Sequence, residues 1–135
     1  MGQELTIGQL SQRTEVSVST IRFYEQKGLL EGPPRNKSGY RVYPQKMVEK
    51  VLFIKSCRDL DFSLSTVADL LKLCYSDGDR IDCASIQTEI EKQHAAVTEQ
   101  IELLKHQRDK LERLLSDCSM DNSRESCGFI RIMLD

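Results

Sequence analysis

From Cys83 to Ser116 the chain runs for 34 residues without a glycine or a proline. Alanine, leucine, glutamate, glutamine and lysine dominate the stretch, all strong helix formers, so one uninterrupted helix is predicted over 83–116. Ile90, Val97, Leu104 and Leu111 recur every seven residues, the spacing of a coiled-coil seam. His94, Ile101, Arg108 and Leu115 form a neighbouring seam that is half polar. A lone helix cannot bury so narrow an apolar stripe, so a partner helix is required. At 1.5 Å rise per residue this helix would hold Cys83 and Cys118 roughly 50 Å apart, and within one chain they cannot share a site. An antiparallel second copy removes the obstacle. Set Cys83 opposite Cys118 of the other copy, and Ile86 meets Leu115, Ile90 meets Leu111 and Val97 meets Leu104. The register that joins the cysteines also pairs these apolar residues, and the full dimer seam comprises Ile86, Ile90, Val97, Ile101, Leu104, Leu111 and Leu115.

Cys118 and Cys127 bracket a polar loop, DCSMDNSRESCG (117–128). No apolar run approaches the ~20 residues of a membrane span, and the start, MGQELTIGQLSQR, lacks the basic region and apolar block of a signal peptide. A cytoplasmic protein with five reduced cysteines is therefore expected, and the odd count also argues against a disulfide framework. Metal ligation and three unrelated cysteines remain as readings of the loop, and the register match favours metal ligation. Cys118 and Cys127 of one chain with Cys83 of the partner subunit would make two equivalent three-thiolate sites per homodimer. Thiolates select soft metals over magnesium or calcium. A linear copper(I) site would leave Cys83 unused. Zinc prefers four ligands and would need Asp121 or Glu125 to complete its tetrahedron. An iron–sulfur cluster normally takes four protein ligands. Three thiolates alone suit lead(II), mercury(II) or cadmium(II). His94 and His106 read as solvated or seam-edge residues rather than ligands.

The charge is divided along the chain. Residues 1–58 carry 10 Lys+Arg against 5 Asp+Glu, while residues 59–135 carry 9 against 16. A basic front and an acidic back suggest a polyanion-binding domain followed by something else. In LTIGQLSQRTEVSVSTIRFYEQKGLL, Ile7, Leu10 and Ser11 mark one side of a first short helix. Ser17 or Ser19 caps a second that Gly28 ends. Two helices joined by a tight turn form a helix-turn-helix, whose second helix can enter a DNA major groove. Ser17, Thr20, Arg22 and Tyr24 are the candidate contacts on that helix. Pro33 and Pro34 then block a helix, KSG signals a turn, and Arg41-Val42-Tyr43 alternates like a strand. A short β-hairpin carrying Arg35, Lys37, Tyr40 and Arg41 would make a basic wing suited to backbone contact.

From Pro44 a helix presents Met47, Val48, Val51, Leu52 and Phe53, and after a break Ser63 or Ser65 caps another lined by Val67, Leu70, Leu71 and Leu73. Cys57 and Cys74 sit at apolar or boundary positions there, where a free cysteine behaves as a small hydrophobe. The expected organisation is a DNA-binding domain over 1–75, a linker over 76–82, a dimerisation helix over 83–116 and a metal loop with a short C-terminal helix over 117–135. The fold class is mostly α: a winged helix-turn-helix, a long antiparallel coiled-coil helix, and that loop and helix. FIRIML after Cys127 is expected to cover the site or to dock on the front domain.

VSVSTIRFYEQKGLL followed by RNKSGYRVY resembles the N-terminal signature of the MerR family of transcription regulators. The resemblance continues through PQKMVEKVLFIKSCRDLDFSLSTVADLLKL, which is similar to that family's second helix pair. It implies a dimeric activator on a palindromic operator in double-stranded promoter DNA, which distorts an over-long promoter spacer for RNA polymerase. It also implies that Arg22, Tyr24, Arg35, Tyr40 and Arg41 fall on DNA-contacting positions. Metal-sensing members place a cysteine at each of the positions of Cys83, Cys118 and Cys127. The ending SCGFI most resembles the lead- and cadmium-responsive branch. The mercury branch commonly carries a further cysteine before the loop, where this chain has LLSD. Two other readings are a thiol-redox sensor working through Cys57 or Cys74, and a metal-buffering protein that binds no promoter. An enzyme is not expected, since no catalytic constellation or phosphate loop stands out.

Overall fold

The computed structural model describes residues 4–32, 35–76, 78, 80–118, 120 and 122–135. Pro33, Pro34 and Asp121 lie outside the described residues. Six helices are present among them: α1 (Ile7–Thr14), α2 (Val18–Gln26), α3 (Lys46–Asp59), α4 (Leu64–Tyr75), α5 (Cys83–Ser116) and α6 (Gly128–Met133). The chain divides into two compact units, Met1–Glu89 and Ile90–Asp135, with the division falling inside α5.

Local chemistry starts the helices of the first unit. The Thr6 side chain accepts from the Gln9 amide at 3.2 Å while the Gln9 side chain accepts from the Thr6 amide at 3.0 Å, a reciprocal capping box. Ser17 caps α2 through the Thr20 amide, and Ser63 caps α4 through the Thr66 amide. Each cap is the earlier of the two serines the sequence offered. Each satisfies an amide that has no partner within its helix. Gly28, at φ +76°, follows α2 in the left-handed region and turns the chain away.

α1 packs on α2 and α3, and α3 on α4. Leu5, Leu10, Ile21, Tyr43, Val51, Ile54 and Val67 are essentially sealed from solvent in one core. Burying aliphatic side chains of this size stabilises the unit by about 1.5–3 kcal/mol each. Met47, Val51, Ile54 and Cys57 form the buried stripe of α3, whereas Leu52 is exposed and belongs to a different face. Buried Thr14 donates to the Leu10 carbonyl at 2.8 Å and accepts from the Val16 amide at 3.3 Å, so its burial leaves no polar atom unmet.

The expected wing hairpin is smaller than a ladder of strands. Arg35 and Arg41 form one antiparallel bridge around the turn at residues 36–39, and Leu5 and Tyr43 form another. Among the described residues no extended strand forms. The Asn36 side chain accepts from the Ser38 and Tyr40 amides, each at 3.0 Å, and Gly39 at φ +82° closes the turn. Ile86, assigned from sequence to the dimer seam, is partly buried against the core of the first unit. It lies in the opening turn of α5, which belongs to that unit.

In the second unit α5 has no buried residue, and Leu104, at 63% exposed, typifies its seam. No helix among the described residues is long and apolar enough to cross a membrane. Ile132 of α6 is buried and lines one pocket with Asp109, Lys110 and Arg113 of α5, and Arg131 pairs with Asp117 at 3.7 Å.

Candidate functional site

The candidate functional side chains form two sets, a surface of the first unit and the loop of the second, with Cys83 in the first unit. In the first, Ser17 both caps α2 and contacts the Thr20 hydroxyl at 2.7 Å, so the start of α2 is preorganised. Arg22, Phe23 and Lys27 are exposed, with the Lys27 ammonium 5.6 Å from the Phe23 ring centre. On the wing, Arg35 donates to the Gly39 carbonyl at 3.1 Å, which braces the turn, while Lys37, Tyr40 and Arg41 are exposed, Tyr40 by 73%. Exposed cations beside an exposed aromatic ring are the composition that phosphate and sugar contacts require.

Tyr24 does not join this exposed set. Only 6% of it is accessible, because it lies one helical turn beyond Ile21 on the face of α2 that meets the core. Burial raises its hydroxyl pKa, opposed in part by nearby Arg58.

A strut between α2 and the wing escaped the sequence reading. Half-buried Glu25 accepts from the Tyr43 hydroxyl at 2.5 Å, and its other carboxylate oxygen lies 3.8 Å from the Arg41 guanidinium. Tyr43 is fully buried, and burial together with the Glu25 contact pushes its pKa up to about 12. One carboxylate thus fixes the spacing between helix and wing. Periodicity marks Glu25 as a helical residue but carries no information about a partner 18 residues away.

The second set is the loop after α5. Cys118 is exposed and Cys127 is half-buried at the N-cap of α6. Both line an open groove of about 490 Å³, together with Met120, Gly128 and Phe129. Cys118 Sγ lies 3.9 Å from Met120 Sδ. These sulfur donors fit a soft ion and offer nothing to magnesium or calcium. Glu125 is exposed on the loop. The loop closes through Gly128, where a Cβ would fall on the Asp117 carbonyl oxygen and 3.1 Å from both the Asp117 carbonyl carbon and Cβ. This close approach joins the residue before Cys118 to the residue after Cys127.

Cys83 is exposed at the start of α5. Asp82 immediately before it accepts from the Ser85 hydroxyl at 2.7 Å and the Ser85 amide at 3.1 Å, and these bonds hold its carboxyl below the usual range. Among the described residues, no three His, Cys, Asp or Glu side chains of the single chain gather closely enough to hold a metal ion. Cys57 is buried and Cys74 half-buried. Burial raises both thiol pKa values, with smaller contributions from Cys74 on Cys57 and from Cys83 on Cys74.

Comparison with known proteins matches residues 5–74 to the family described as MerR HTH family regulatory protein, and residues 48–114 to the one described as MerR, DNA binding. The chain is 36% identical over 128 residues to the mercuric resistance operon regulatory protein of Serratia marcescens, covering 95% of this chain and 86% of that protein. Its fold is similar to the crystal structure of the transcription regulator PbrR691 from Ralstonia metallidurans CH34 in complex with lead(II). That match has a TM-score of 0.80 at 29% identity and covers 96% of this chain and 98% of the other. HiNmlR, a MerR family regulator lacking the sensor domain and bound to promoter DNA, is similar at 25% identity and a TM-score of 0.55, over 85% and 86% of the two chains.

Proposed function

The chain belongs to the MerR family of helix-turn-helix regulatory proteins, and on that premise we propose that it is a homodimeric transcription activator switched by a soft divalent metal, lead(II) or cadmium(II) before mercury(II) or zinc(II). As a metal-responsive transcription regulator it uses the front unit for promoter DNA and the loop for its effector. One observation carries the finer reading. A continuous α5 with exposed seam residues begins at Cys83 and runs into a loop whose groove is lined by Cys118 and Cys127.

Antiparallel pairing of two such helices would bury the exposed Ile90, Val97, Leu104 and Leu111 and bring Cys83 of the partner subunit to the groove. Cys118 and Cys127 would then hold the ion with that third thiolate. Because the effector shifts an equilibrium only by its difference in affinity for two states, the loop and the partner's helix start must be better arranged for it in one dimer conformation. Deforming a promoter costs several kcal/mol, so the affinity difference must be of that order. On the DNA side, Arg22, Lys37, Tyr40 and Arg41, with Ser17 and Thr20 at the α2 terminus, make the contacts. The Glu25 strut keeps α2 and the wing at one spacing while they do. RNA polymerase on the same promoter is the partner that reads the distortion.

The test is equilibrium competition for lead, cadmium, mercury and zinc on the reduced dimer, beside Cys83→Ser and a mixed dimer. The mixed dimer pairs one Cys83→Ser chain with one Cys118→Ser/Cys127→Ser chain. Complementation predicts that it keeps one intact site while each parental homodimer loses affinity sharply. Undiminished binding by the Cys83→Ser homodimer would put the site within one loop and end the cross-chain reading.

A further inference from the structure

Met120 is an unusual residue for its position. It is 86% exposed, so its apolar side chain gains almost nothing from burial, and its backbone sits at φ +58°. That left-handed conformation suits glycine or asparagine and is costly for other residues. A loop selected only to turn would carry one of those residues here. Its sulfur, however, lies 3.9 Å from Cys118 Sγ, in the groove that Cys118 and Cys127 line.

That separation has a geometric meaning. Two sulfurs bound about 2.3 Å from one zinc-sized ion lie about 3.8 Å apart in a tetrahedron and about 4.0 Å apart in a planar trigonal site, whereas the two ends of a linear pair lie about 4.6 Å apart. The Cys118–Met120 pair therefore has the spacing of two sulfurs that share one three- or four-coordinate ion, and not that of a linear pair. Thioether sulfur is a soft, uncharged donor that discriminates against hard ions without adding negative charge. We propose that Met120 is a fourth, weaker ligand of the effector site, supplying a thioether beside the thiolates of Cys118, Cys127 and Cys83 of the partner subunit. The inference rests on the metal-sensing reading and refines the donor set of that site. It also gives the groove a fourth ligand that is neither Asp121 nor Glu125, so a four-coordinate ion is held entirely by sulfur.

The experiment uses the full-length dimer labelled with selenomethionine and loaded with cadmium(II), examined by X-ray absorption at the selenium and cadmium edges. A cadmium–selenium shell is expected in the labelled protein and should vanish in Met120→Leu, an exposed substitution of similar volume that leaves the thiolates in place. In the same variant cadmium affinity should fall about tenfold, the low end of what ligand-sphere changes cost. A cadmium–sulfur shell with no cadmium–selenium shell would overturn the assignment of Met120 and leave the thiolate site standing. Absence of any cadmium–sulfur shell would overturn both.

Discussion

Replacing Gly128 by alanine tests how the loop holds its two cysteines together. The backbone at Gly128 does not require glycine for its φ; the requirement is space. An added Cβ meets the Asp117 carbonyl oxygen and approaches its carbonyl carbon and Cβ to 3.1 Å, and two of these three atoms are main chain and cannot rotate away. Alanine would favour helix by up to about 1 kcal/mol over glycine, less at a first helical position. Overpacking against fixed atoms costs about 1–3 kcal/mol. The steric cost should win by about 1–2 kcal/mol, because α6 has only six residues and is held down mainly by Ile132, so it relieves the clash by lifting away. Asp117 precedes Cys118 and Gly128 follows Cys127, so the movement separates the two sulfurs directly. At 1.4 kcal/mol per tenfold, metal affinity should fall about 5- to 30-fold. Competition titration of Gly128→Ala reads this, with promoter binding by the metal-free protein as the control, which should not change because its contacts lie in the other unit. Affinity within twofold of the parent would refute the reasoning, since the close approach would then not govern the spacing of the cysteines.

Tyr43→Phe should remove an alkaline sensitivity. With the Tyr43 pKa pushed up to about 12 from 10.0, the unfolded state loses its proton first. Stability is therefore intact below pH 10 and falls by roughly 2–3 kcal/mol as pH rises towards 12. Denaturant titrations at about pH 9 and pH 11.5 should show a larger loss in the parent than in the variant, which keeps only the contributions of groups such as buried Tyr24. Buried Cys57, whose thiol pKa is raised by burial, should alkylate at pH 7 far more slowly than exposed Cys83 and Cys118. Mass spectrometry after timed iodoacetamide treatment reports the order, and rapid labelling of Cys57 would revive the redox-sensor reading. Lys37→Ala, at an exposed wing position, should weaken promoter binding across sequences and lower the slope of log affinity against log salt by about 1. An unchanged slope in filter binding or anisotropy would mean that Lys37 touches no phosphate.

Helices and their caps were legible in the sequence because both depend on residues a turn apart. The absence of glycine and proline from 83–116 leads directly to α5, and Ser17 and Ser63 find their amide partners three residues on. The loop cysteines and the helix-turn-helix were legible for the same reason, as residue types at short fixed spacings. What escaped depended on which face meets which neighbour. Tyr24 and Arg22 stand two residues apart on α2, yet one is core and the other solvent, and only the packing of α2 against α1 and the core decides between them. Ile86 entered the seam through its pairing with Leu115, but it falls within reach of the front core, which claims it. The Glu25–Tyr43 strut and the Gly128–Asp117 approach join residues 18 and 11 positions apart through turns whose course no local pattern encodes. Main-chain hydrogen bonding within a helix is satisfied by the segment itself, so a sequence can specify it alone. A side chain's partner is set by the surfaces that close around it, and those exist only once the chain has folded.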